Sequence, residues 1–461
     1  MKLSRRRFLK LLGLAGGATL AAPLAGCVQT QAPGPTAAPP KPAAAEPAAT
    51  AAATTGAPAA LSKVSEVAIG VAYPLSGALG PIGVDAKAII ELAVDMINNP
   101  GPLAASGWLL SEGKGLPNLG GAKIRAIITD HQGDPARGAG ETERLITQEK
   151  VAAIYGMYQS AVTATASQVA ERLQVPFLAP EASSPALTAR NFKWFFRTGP
   201  HDYMFSEAMF EFLKDLEKSR GIKVQTVATT YEDTDFGTSS AKVQRELAEK
   251  NGYKVVADIQ YRAGATSMTT EVQKLKAANP DVWLPTGYVA DAGLLVRTAK
   301  ELDFNPKIVL AQDAGWVDAA FISQVGKQAE GYSSRGVFSP EFMTKVPALQ
   351  TLSDLLKQKV GHDLTDNPSR QFLGFIVLAD AINRAGSTDP DKIRQALVAT
   401  DVKPSQIPLP WKGVKFDGTG QNTLGSPIMY QLQGGRYWTV WPEQAKAKEF
   451  VYPIPPWSQR S

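Results

Sequence analysis

The apolar run Val-Ala-Ile-Gly-Val-Ala-Tyr at residues 67–73 is the stretch that decides the fold. Short apolar runs of this kind are typical of a parallel strand that is buried on both faces. Residues 83–98 follow with apolar side chains at helical spacing, and Asn-Asn-Pro-Gly at 98–101 ends that helix. A buried strand followed by an amphipathic helix predicts the first βα unit of a parallel sheet.

The same alternation continues along the chain and then restarts. The first block has further strands at 122–129, 151–155 and 175–178, with helices at 135–149 and 161–173. The second block has strands at 224–229, 253–261, 281–285 and 307–310, with helices at 237–251, 267–278 and 289–302. Another amphipathic helix is predicted at 371–385, and short strands are predicted within 411–441. Two consecutive βα blocks predict an α/β protein with two doubly wound parallel-sheet lobes.

The composition excludes several classes of protein. The chain has 461 residues and a formal net charge of +5, but five lysines and arginines fall within the first ten residues, which contain no acid. The remainder is balanced in charge, which argues against a nucleic-acid-binding protein. One cysteine cannot form an internal disulfide, and three histidines far apart in sequence make a zinc or iron site unexpected. No cofactor is expected.

The N-terminal residues read as an export signal. Ser-Arg-Arg-Arg-Phe-Leu-Lys at 4–10 resembles the twin-arginine signal, and a Gly- and Ala-rich apolar run follows at 11–25. That run is shorter than the roughly 20 residues that span a bilayer as a helix. Leu-Ala-Gly-Cys at 24–27 resembles the lipobox of bacterial lipoproteins, which implies removal of residues 1–26 and lipidation of Cys27. The alternative is a retained membrane helix with Cys27 as an ordinary buried cysteine.

A tether is predicted between the signal and the folded body. Residues 28–62 are mostly Ala, Pro, Thr and Gln with almost no large apolar side chain. Such a composition cannot bury enough surface to fold, and its prolines favour an extended spacer. We therefore expect residues 27–62 to be a lipidated, disordered tether that holds the body near the outer face of the cell membrane.

Residues 65–440 resemble the branched-chain amino-acid (leucine/isoleucine/valine) binding proteins of ABC importers. The segments that carry the resemblance are Pro-Leu-Ser-Gly at 74–77, Gly-Asp-Pro at 133–135, Gly-Met-Tyr-Gln-Ser-Ala-Val-Thr at 156–163, Ala-Pro-Glu-Ala-Ser-Ser at 179–184, Tyr-Glu-Asp-Thr-Asp-Phe-Gly at 231–237 and Ala-Gln-Asp at 311–313. The resemblance implies the type I periplasmic binding fold, in which two lobes joined by three crossing strands close on a ligand. It places the crossings near 197–200, 334–338 and 411–415, with lobe 1 at 63–198 plus 337–413 and lobe 2 at 199–336 plus 414–461.

Lobe 1 contributes the first group of candidate ligand-binding residues. Ser160 precedes a predicted helix, where it can cap the helix and present free backbone N–H groups to an anion. The resemblance implies that Ser160 holds a ligand carboxylate and that Ser183 binds the carboxylate and the ammonium together, with Thr163 in the first turn of the same helix as Ser160 and Ala182 beside Ser183. Glu181 is a departure, because the family uses a backbone carbonyl there. Its side chain either faces solvent or adds a negative charge beside the ligand, which would make a plain leucine-like ligand less favourable.

Lobe 2 is expected to complete the pocket. The resemblance implies that Tyr288 hydrogen-bonds the ligand, that Asp313 pairs with its ammonium, and that Phe236 packs on its side chain. By their position Ile82 and Leu79 are expected to line the pocket, although Phe236 and Ile82 equally fit ordinary core. Trp316 and Tyr158 are expected near the cleft. A disulfide found in some members would join the places of Gly133 and Gln159, so it is absent here.

No catalytic motif is evident in the sequence. The nucleophile elbow and phosphate-loop patterns are missing, and the acidic run at 231–235 matches a calcium loop only weakly. We therefore expect a monomeric solute-binding lipoprotein that delivers an amino acid to an ABC permease, and not an enzyme. The same fold with a short amide, an aromatic acid or a nucleoside as ligand is the alternative. A lipoprotein hydrolase or a structural surface protein is the remaining class.

Overall fold

The structure is a computed structural model that describes residues 64–460. The predicted signal at 1–26, the tether at 27–62 and the lipidated Cys27 lie outside the described residues. Among the helices of residues 64–460, none is long and apolar enough to cross a membrane.

A five-stranded parallel sheet forms the first layer of the fold. Its strands are β1 (Glu66–Tyr73), β2 (Lys123–Asp130), β3 (Ala153–Gly156), β4 (Phe177–Ala179) and β5 (Phe195–Arg197), in the order β2-β1-β3-β4-β5. The run that opened the sequence analysis is β1, and it pairs in parallel with both β2 and β3. A Cβ placed on Gly70 would come within 2.9 Å of Ile154 Cδ1, so a larger residue in β1 would crowd the layer beside it.

Helices connect these strands, and the first three of them were predicted from the sequence. They are α1 (Gly80–Asn98), α2 (Pro135–Thr147), α3 (Ser160–Leu173) and the short α4 (Ala186–Ala189). Pro135 occupies the first turn of α2, and the Asp134 side chain caps it by accepting the Arg137 N–H at 2.8 Å.

The second sheet has seven strands. They are β6 (Thr226–Glu232), β7 (Lys254–Tyr261), β8 (Val282–Thr286), β9 (Ile308–Ala311), β10 (Ser333–Gly336), β13 (Ile428–Gln433) and β14 (Arg436–Trp441), in the order β14-β13-β10-β9-β8-β6-β7. The last two strands pair antiparallel, and the others pair in parallel. The helices α5 (Asp202–Arg220), α6 (Asp235–Lys250), α7 (Thr269–Ala278), α8 (Val289–Glu301) and α9 (Ala319–Val325) accompany this sheet. The prediction of an α/β protein with two sheets of mainly parallel strands is confirmed.

The remaining segment adds helices that pack on the first sheet's side of the fold. It contains α10 (Phe342–Lys345), α11 (Pro347–Val360), α12 (Asp366–Ala385) and α13 (Pro390–Val398), followed by the two-stranded pair β11 (Asp401–Val402) and β12 (Val414–Lys415). Helix α12 packs against α1 and α13 and is buried on nearly every side. This burial brings the first turn of α12 into the interior of the protein.

Several elements differ from the sequence predictions, and the helices α9, α11 and α13 are among those that were not predicted. Helix α5 was not predicted, although Phe205, Met209 and Phe212 are buried at helical spacing and would have located it. Helix α12 begins at Asp366, five residues before the predicted start. Its first turn is polar, so the hydrophobic pattern becomes visible only from Phe372 onward.

Three segments connect the elements around the first sheet with those of the second. They are residues 198–201 after β5, 337–341 after β10, and 416–427 between β12 and β13. The third lies a few residues beyond the predicted crossing at 411–415, because β12 first pairs with β11. Arg197 also forms a parallel bridge with Gln421, so the first and third connections run side by side. The assignment of residues to two lobes stays a prediction.

Candidate ligand-binding site

A small cavity lies at the carboxyl ends of strands from both sheets. The first sheet contributes Tyr158 and Ser160 after β3, and Glu181 and Ser183 after β4. The second contributes Phe236 after β6, Tyr288 after β8, Asp313 and Ala314 after β9, and Arg335 on β10, while α12 adds Asn367 and Arg370. The cavity measures about 20 Å³, which is room for one or two ordered waters. Ligands of open α/β sheets bind at this edge, so the position is that of a binding site.

Six of the ten predicted ligand-binding residues line this cavity. They are Ser160, Glu181, Ser183, Phe236, Tyr288 and Asp313. The structure does not bring the other four to the cavity wall. Ile82 is buried in the apolar core on α1, Leu79 packs partly buried beside that core, and the Ala182 carbonyl accepts a hydrogen bond from Arg197 Nη1 at 2.9 Å. Thr163 is fully buried in the first turn of α3.

The N-terminus of α3 is built differently from the prediction. Gln159 is the N-cap and Ser160 is the first helical residue, so Ser160 does not cap the helix. The Ser160 hydroxyl instead accepts the Ser184 N–H at 3.2 Å, which joins α3 to the loop after β4. The Thr163 hydroxyl has no hydrogen-bond partner within the described residues. The free N–H groups of this helix end remain beside the cavity and favour an anionic group there.

The Glu181 side chain lies in the wall of the cavity and does not face solvent. Glu181 is 4% exposed, and its carboxyl oxygens accept hydrogen bonds from Tyr73 Oη at 2.9 Å and Gln371 Nε2 at 2.7 Å. Burial raises the pKa of Glu181 to about 8, although Arg370 and the two hydrogen bonds oppose that shift. At neutral pH this carboxyl is therefore mostly protonated.

Asp313 is held by two arginines. Its Oδ2 accepts a hydrogen bond from Arg335 Nη1 and a second from Arg370 Nη2 at 2.8 Å, and its Oδ1 accepts the Ala314 N–H at 2.6 Å. Burial raises the pKa of Asp313 to about 6, against the opposite influence of both guanidiniums. Asp313 also has φ +56°, an unfavourable backbone conformation for a residue other than glycine that is common at functional sites. The predicted ammonium partner thus already has two cationic partners.

Further acids complete the buried ion cluster. Asp366 lies 2.8 Å from Arg370 Nε and accepts the N–H groups of Val337 and Phe338 at 2.6 and 3.0 Å. Asp202 lies 3.9 Å from Arg335 Nη2, and the Arg335 guanidinium stacks over the Phe205 ring at 3.5 Å from its centroid. Each arginine at the cavity is therefore neutralised by acids of the protein itself.

Aromatic rings form the remaining wall. The Tyr288 ring lies 5.5 Å from the Phe236 ring and 5.8 Å from the Tyr158 ring, measured between centroids. The Tyr158 hydroxyl is buried and has no partner within residues 64–460. Trp316 is outside this wall, because it packs on Trp283 at 5.8 Å in the core of the second sheet.

Sequence reasoning did not identify the two cavity arginines, Asn367 or Ala314. Arg335 is the one charge in the run Tyr-Ser-Ser-Arg-Gly-Val-Phe at 332–338, and a charge inside a buried strand was a usable signal. Arg370 precedes the apolar run of α12, and only the burial of that helix makes it internal.

Two other expectations can be placed in the structure. A Cβ on Gly133 would lie 3.2 Å from Gln159 Oε1, so the two places of the family disulfide are adjacent here without cysteines. In the acidic run at 231–235, Glu232 accepts the N–H groups of Thr234 and Gly237 at 2.5 and 2.8 Å and so serves the turn itself. The described part of the chain holds no cluster of three or more His, Cys, Asp or Glu side chains suited to a metal ion.

A polar cavity enclosed by strand ends from two parallel sheets defines a solute-binding protein of the α/β class. The chain belongs to the periplasmic binding protein family, whose model matches residues 66–435. Membership implies a solute-binding role and an extracytoplasmic location.

Curated relatives and solved structures agree with this membership. The chain is 27% identical over 396 residues to Leu/Ile/Val-binding protein homolog 7 of Brucella abortus, covering 84% of this chain and 94% of that protein. It is 28% identical over 397 residues to homolog 8 of the same organism, covering 83% and 92%. Its fold matches the leucine-binding protein LivK of Thermotoga maritima, with a TM-score of 0.68 and 23% identity over 81% of this chain and 97% of that one. It also matches the isoleucine complex of LivJ from Streptococcus pneumoniae, with a TM-score of 0.67 and 22% identity over 84% and 100%.

Proposed function

We propose that this protein is the solute-binding component of an ABC importer, captures a small amino-acid-type solute between its two sheets, and is not an enzyme. The observation that carries the proposal is the cavity itself, because both sheets contribute side chains to it. A solute that touches both halves favours the closed arrangement over an open one, which is how such proteins signal occupancy to a permease.

The carboxylate of the solute is assigned to the side of the first sheet. Ser160 and Ser183 line the cavity there, and the N-terminus of α3 adds its free N–H groups. The names of the Brucella relatives and the isoleucine complex support an amino acid as the type of solute. The charged and polar side chains of the wall favour a short or polar side chain over leucine.

A short amide is the second candidate solute. It is favoured by one observation, the raised pKa of Glu181, because a protonated carboxyl can donate a hydrogen bond to an amide oxygen. Asn367 offers a second neutral hydrogen-bonding group at the same cavity.

Membrane attachment is proposed from the sequence. A twin-arginine signal at 1–26, lipidation of Cys27 and a tether at 28–62 would keep a monomeric binding protein beside its permease on the outer face of the cell membrane. Two or three acyl chains anchor firmly at about 0.8 kcal/mol per buried methylene. Cys27→Ser should release the protein into the soluble fraction, and its retention in the membrane would contradict the lipid anchor.

The test of solute capture is calorimetry on the full chain, after a thermal-shift screen of all L-amino acids and of short amides. A solute at about 100 times its Kd stabilises the protein by about 2.7 kcal/mol, which a melting curve resolves. Ser160→Ala combined with Ser183→Ala should weaken amino-acid binding at least about 100-fold, since each hydroxyl bonds a charged group. The matched control is Ser206→Ala, a buried hydroxyl on α5 that does not line the cavity. Unchanged affinity in the double variant would overturn the carboxylate assignment.

A further inference from the structure

The two carboxyl groups of the cavity wall have different partners. Asp313 bonds to two guanidiniums, those of Arg335 and Arg370. A solute ammonium placed on Asp313 would have to compete with both of them in a buried site, and it would add a third cation to the same carboxylate. Asp313 is therefore a poor receptor for a new positive charge.

Glu181 differs from Asp313 in the charge of its hydrogen-bond partners. Within residues 64–460 it forms no salt bridge, and the Tyr73 hydroxyl and the Gln371 amide that bond to it are neutral. An ionised carboxylate has about four acceptor positions, of which these donors use two. Glu181 lines the cavity together with Tyr158, whose hydroxyl has no partner within residues 64–460, so both residues are available to a solute there.

We propose that Glu181, and not Asp313, binds the protonated amine of the solute, with the Tyr158 hydroxyl as a second polar contact. The site then selects solutes that carry an amine next to a carboxylate and discriminates against the same carboxylates without the amine. This inference rests on the proposed function and specifies its solute class. It assigns Asp313 the separate task of holding Arg335 and Arg370 in the cavity wall.

Binding of a cation at Glu181 is coupled to the release of a proton. In the free protein burial raises the pKa of Glu181 to about 8, so at pH 7 the carboxyl is mostly protonated. The groups that face it are Tyr73 and Tyr155 from the first sheet, Tyr158 at the cavity, Asp313 and Arg370. Burial raises the pKa of all three tyrosines, so they stay protonated while Glu181 ionises against the amine.

The experiment compares matched pairs of probes on the full chain by calorimetry. The amines are glycine, L-alanine, L-leucine and L-isoleucine, and their partners are acetate, propionate, 4-methylpentanoate and 3-methylpentanoate. At least one amine should bind at least about 10-fold more tightly than its partner, as expected for a hydrogen bond between charged groups. Titration in phosphate and in Tris at pH 7 should show the release of most of one proton per bound amine.

Glu181→Gln should weaken binding of that amine about 10- to 100-fold and abolish the proton release. The control Glu341→Gln neutralises another buried glutamate that does not line the cavity, and it should leave both quantities unchanged. If Glu181→Gln does not fold, the probe pairs and the proton count on the wild type decide the matter.

The outcomes separate the two proposals. Equal affinity for an amine and its amine-free partner, or amine binding without proton release, overturns the role of Glu181 and leaves solute capture standing. Tight binding of an amine by Glu181→Gln does the same. If neither series, nor any solute of the wider screen, stabilises the wild type, the proposed function itself fails.

Discussion

The ring centroids of Tyr158 and Tyr288 lie 5.8 Å apart, and the two tyrosines come from the ends of strands in different sheets. Tyr158 follows β3, whereas Tyr288 is the N-cap of α8. Their contact closes one wall of the cavity, so the two halves of the protein meet at the place where the solute is proposed to bind.

Tyr158→Phe should separate packing from hydrogen bonding at this contact. The ring is retained and the lost hydroxyl has no partner in the described structure, so the free energy of unfolding should change by less than about 1 kcal/mol. Affinity for the tightest-binding amino acid should nevertheless fall about 10-fold. Chemical denaturation and calorimetry measure the two effects. Tyr430→Phe, which removes another buried hydroxyl without a partner from a residue that does not line the cavity, should alter neither.

Asp313→Asn should destabilise the protein strongly. It removes the charge shared by Arg335 and Arg370, both buried, and breaking such a pair costs about 3–5 kcal/mol. Urea denaturation measures this loss. Asp258→Asn, which removes the partner of the partly exposed Arg245, should cost less than about 1 kcal/mol. Similar losses in the two variants would show that Asp313 is not the centre of the buried ion cluster.

Stability should fall as the pH rises from 7 to 9. Burial raises the pKa of Glu181 from 4.5 in the unfolded chain to about 8, so the native state binds the extra proton and stability declines with pH until about 8. The Asp85 carboxylate raises the pKa of His362 to about 9. The contribution of this pair to the stability of the protein is therefore fully present below pH 6.5 and is lost as the pH rises through 9. His201, whose pKa burial lowers to about 4, acts only below this range.

Thermal melts of the full chain without solute measure that slope. Glu181→Gln should flatten it between pH 7 and 8, and Asp85→Asn should flatten it up to about pH 9. A melting temperature that stays level or rises over this range in the wild type would contradict both assignments.

Gly315→Ala should disturb the cavity through the backbone. A Cβ at Gly315 would lie 2.1 Å from the carbonyl carbon of Tyr288 and from the nitrogen of Val289, where no side chain can move aside. The turn at 314–317 would have to shift, at a cost of about 1–3 kcal/mol and with weaker solute binding. Gly140→Ala is the control, because it lies in α2 with open space around it and should be neutral or slightly stabilising. Denaturation and calorimetry on both variants test this.

The sequence predicted the fold well wherever local pattern and burial agree. The strands β1 to β4 and β6 to β9 are apolar runs bounded by turn residues, and each was located within three residues at either end. Helix α12 shows the limit, because its polar first turn is buried only through packing against other elements. The spacing of apolar residues in a sequence shows which face of a helix is buried. It cannot show that polar residues are buried when only tertiary contacts bury them.

The sequence predicted those residues of the candidate site that lie at the ends of strands. Ser160, Ser183 and Tyr288 occupy strand ends, and parallel strands bring those ends to one edge. The partners of Asp313 could not be inferred in the same way, since Arg335 and Arg370 come from a strand and a helix far along the chain. The inward pose of Glu181 depended on Tyr73 and Gln371, which are equally distant in sequence.

Adjacent residues of α12 hold the two acids of the cavity, because Arg370 bonds to Asp313 and Gln371 bonds to Glu181. These four positions should therefore be inherited together during the divergence of the family. An alignment of relatives should show that lineages without an acid at 181 also replace the glutamine at 371, and that lineages without an acid at 313 lose the arginines at 335 and 370. Sequence variation in this one turn of α12 would then indicate which solutes each lineage takes up.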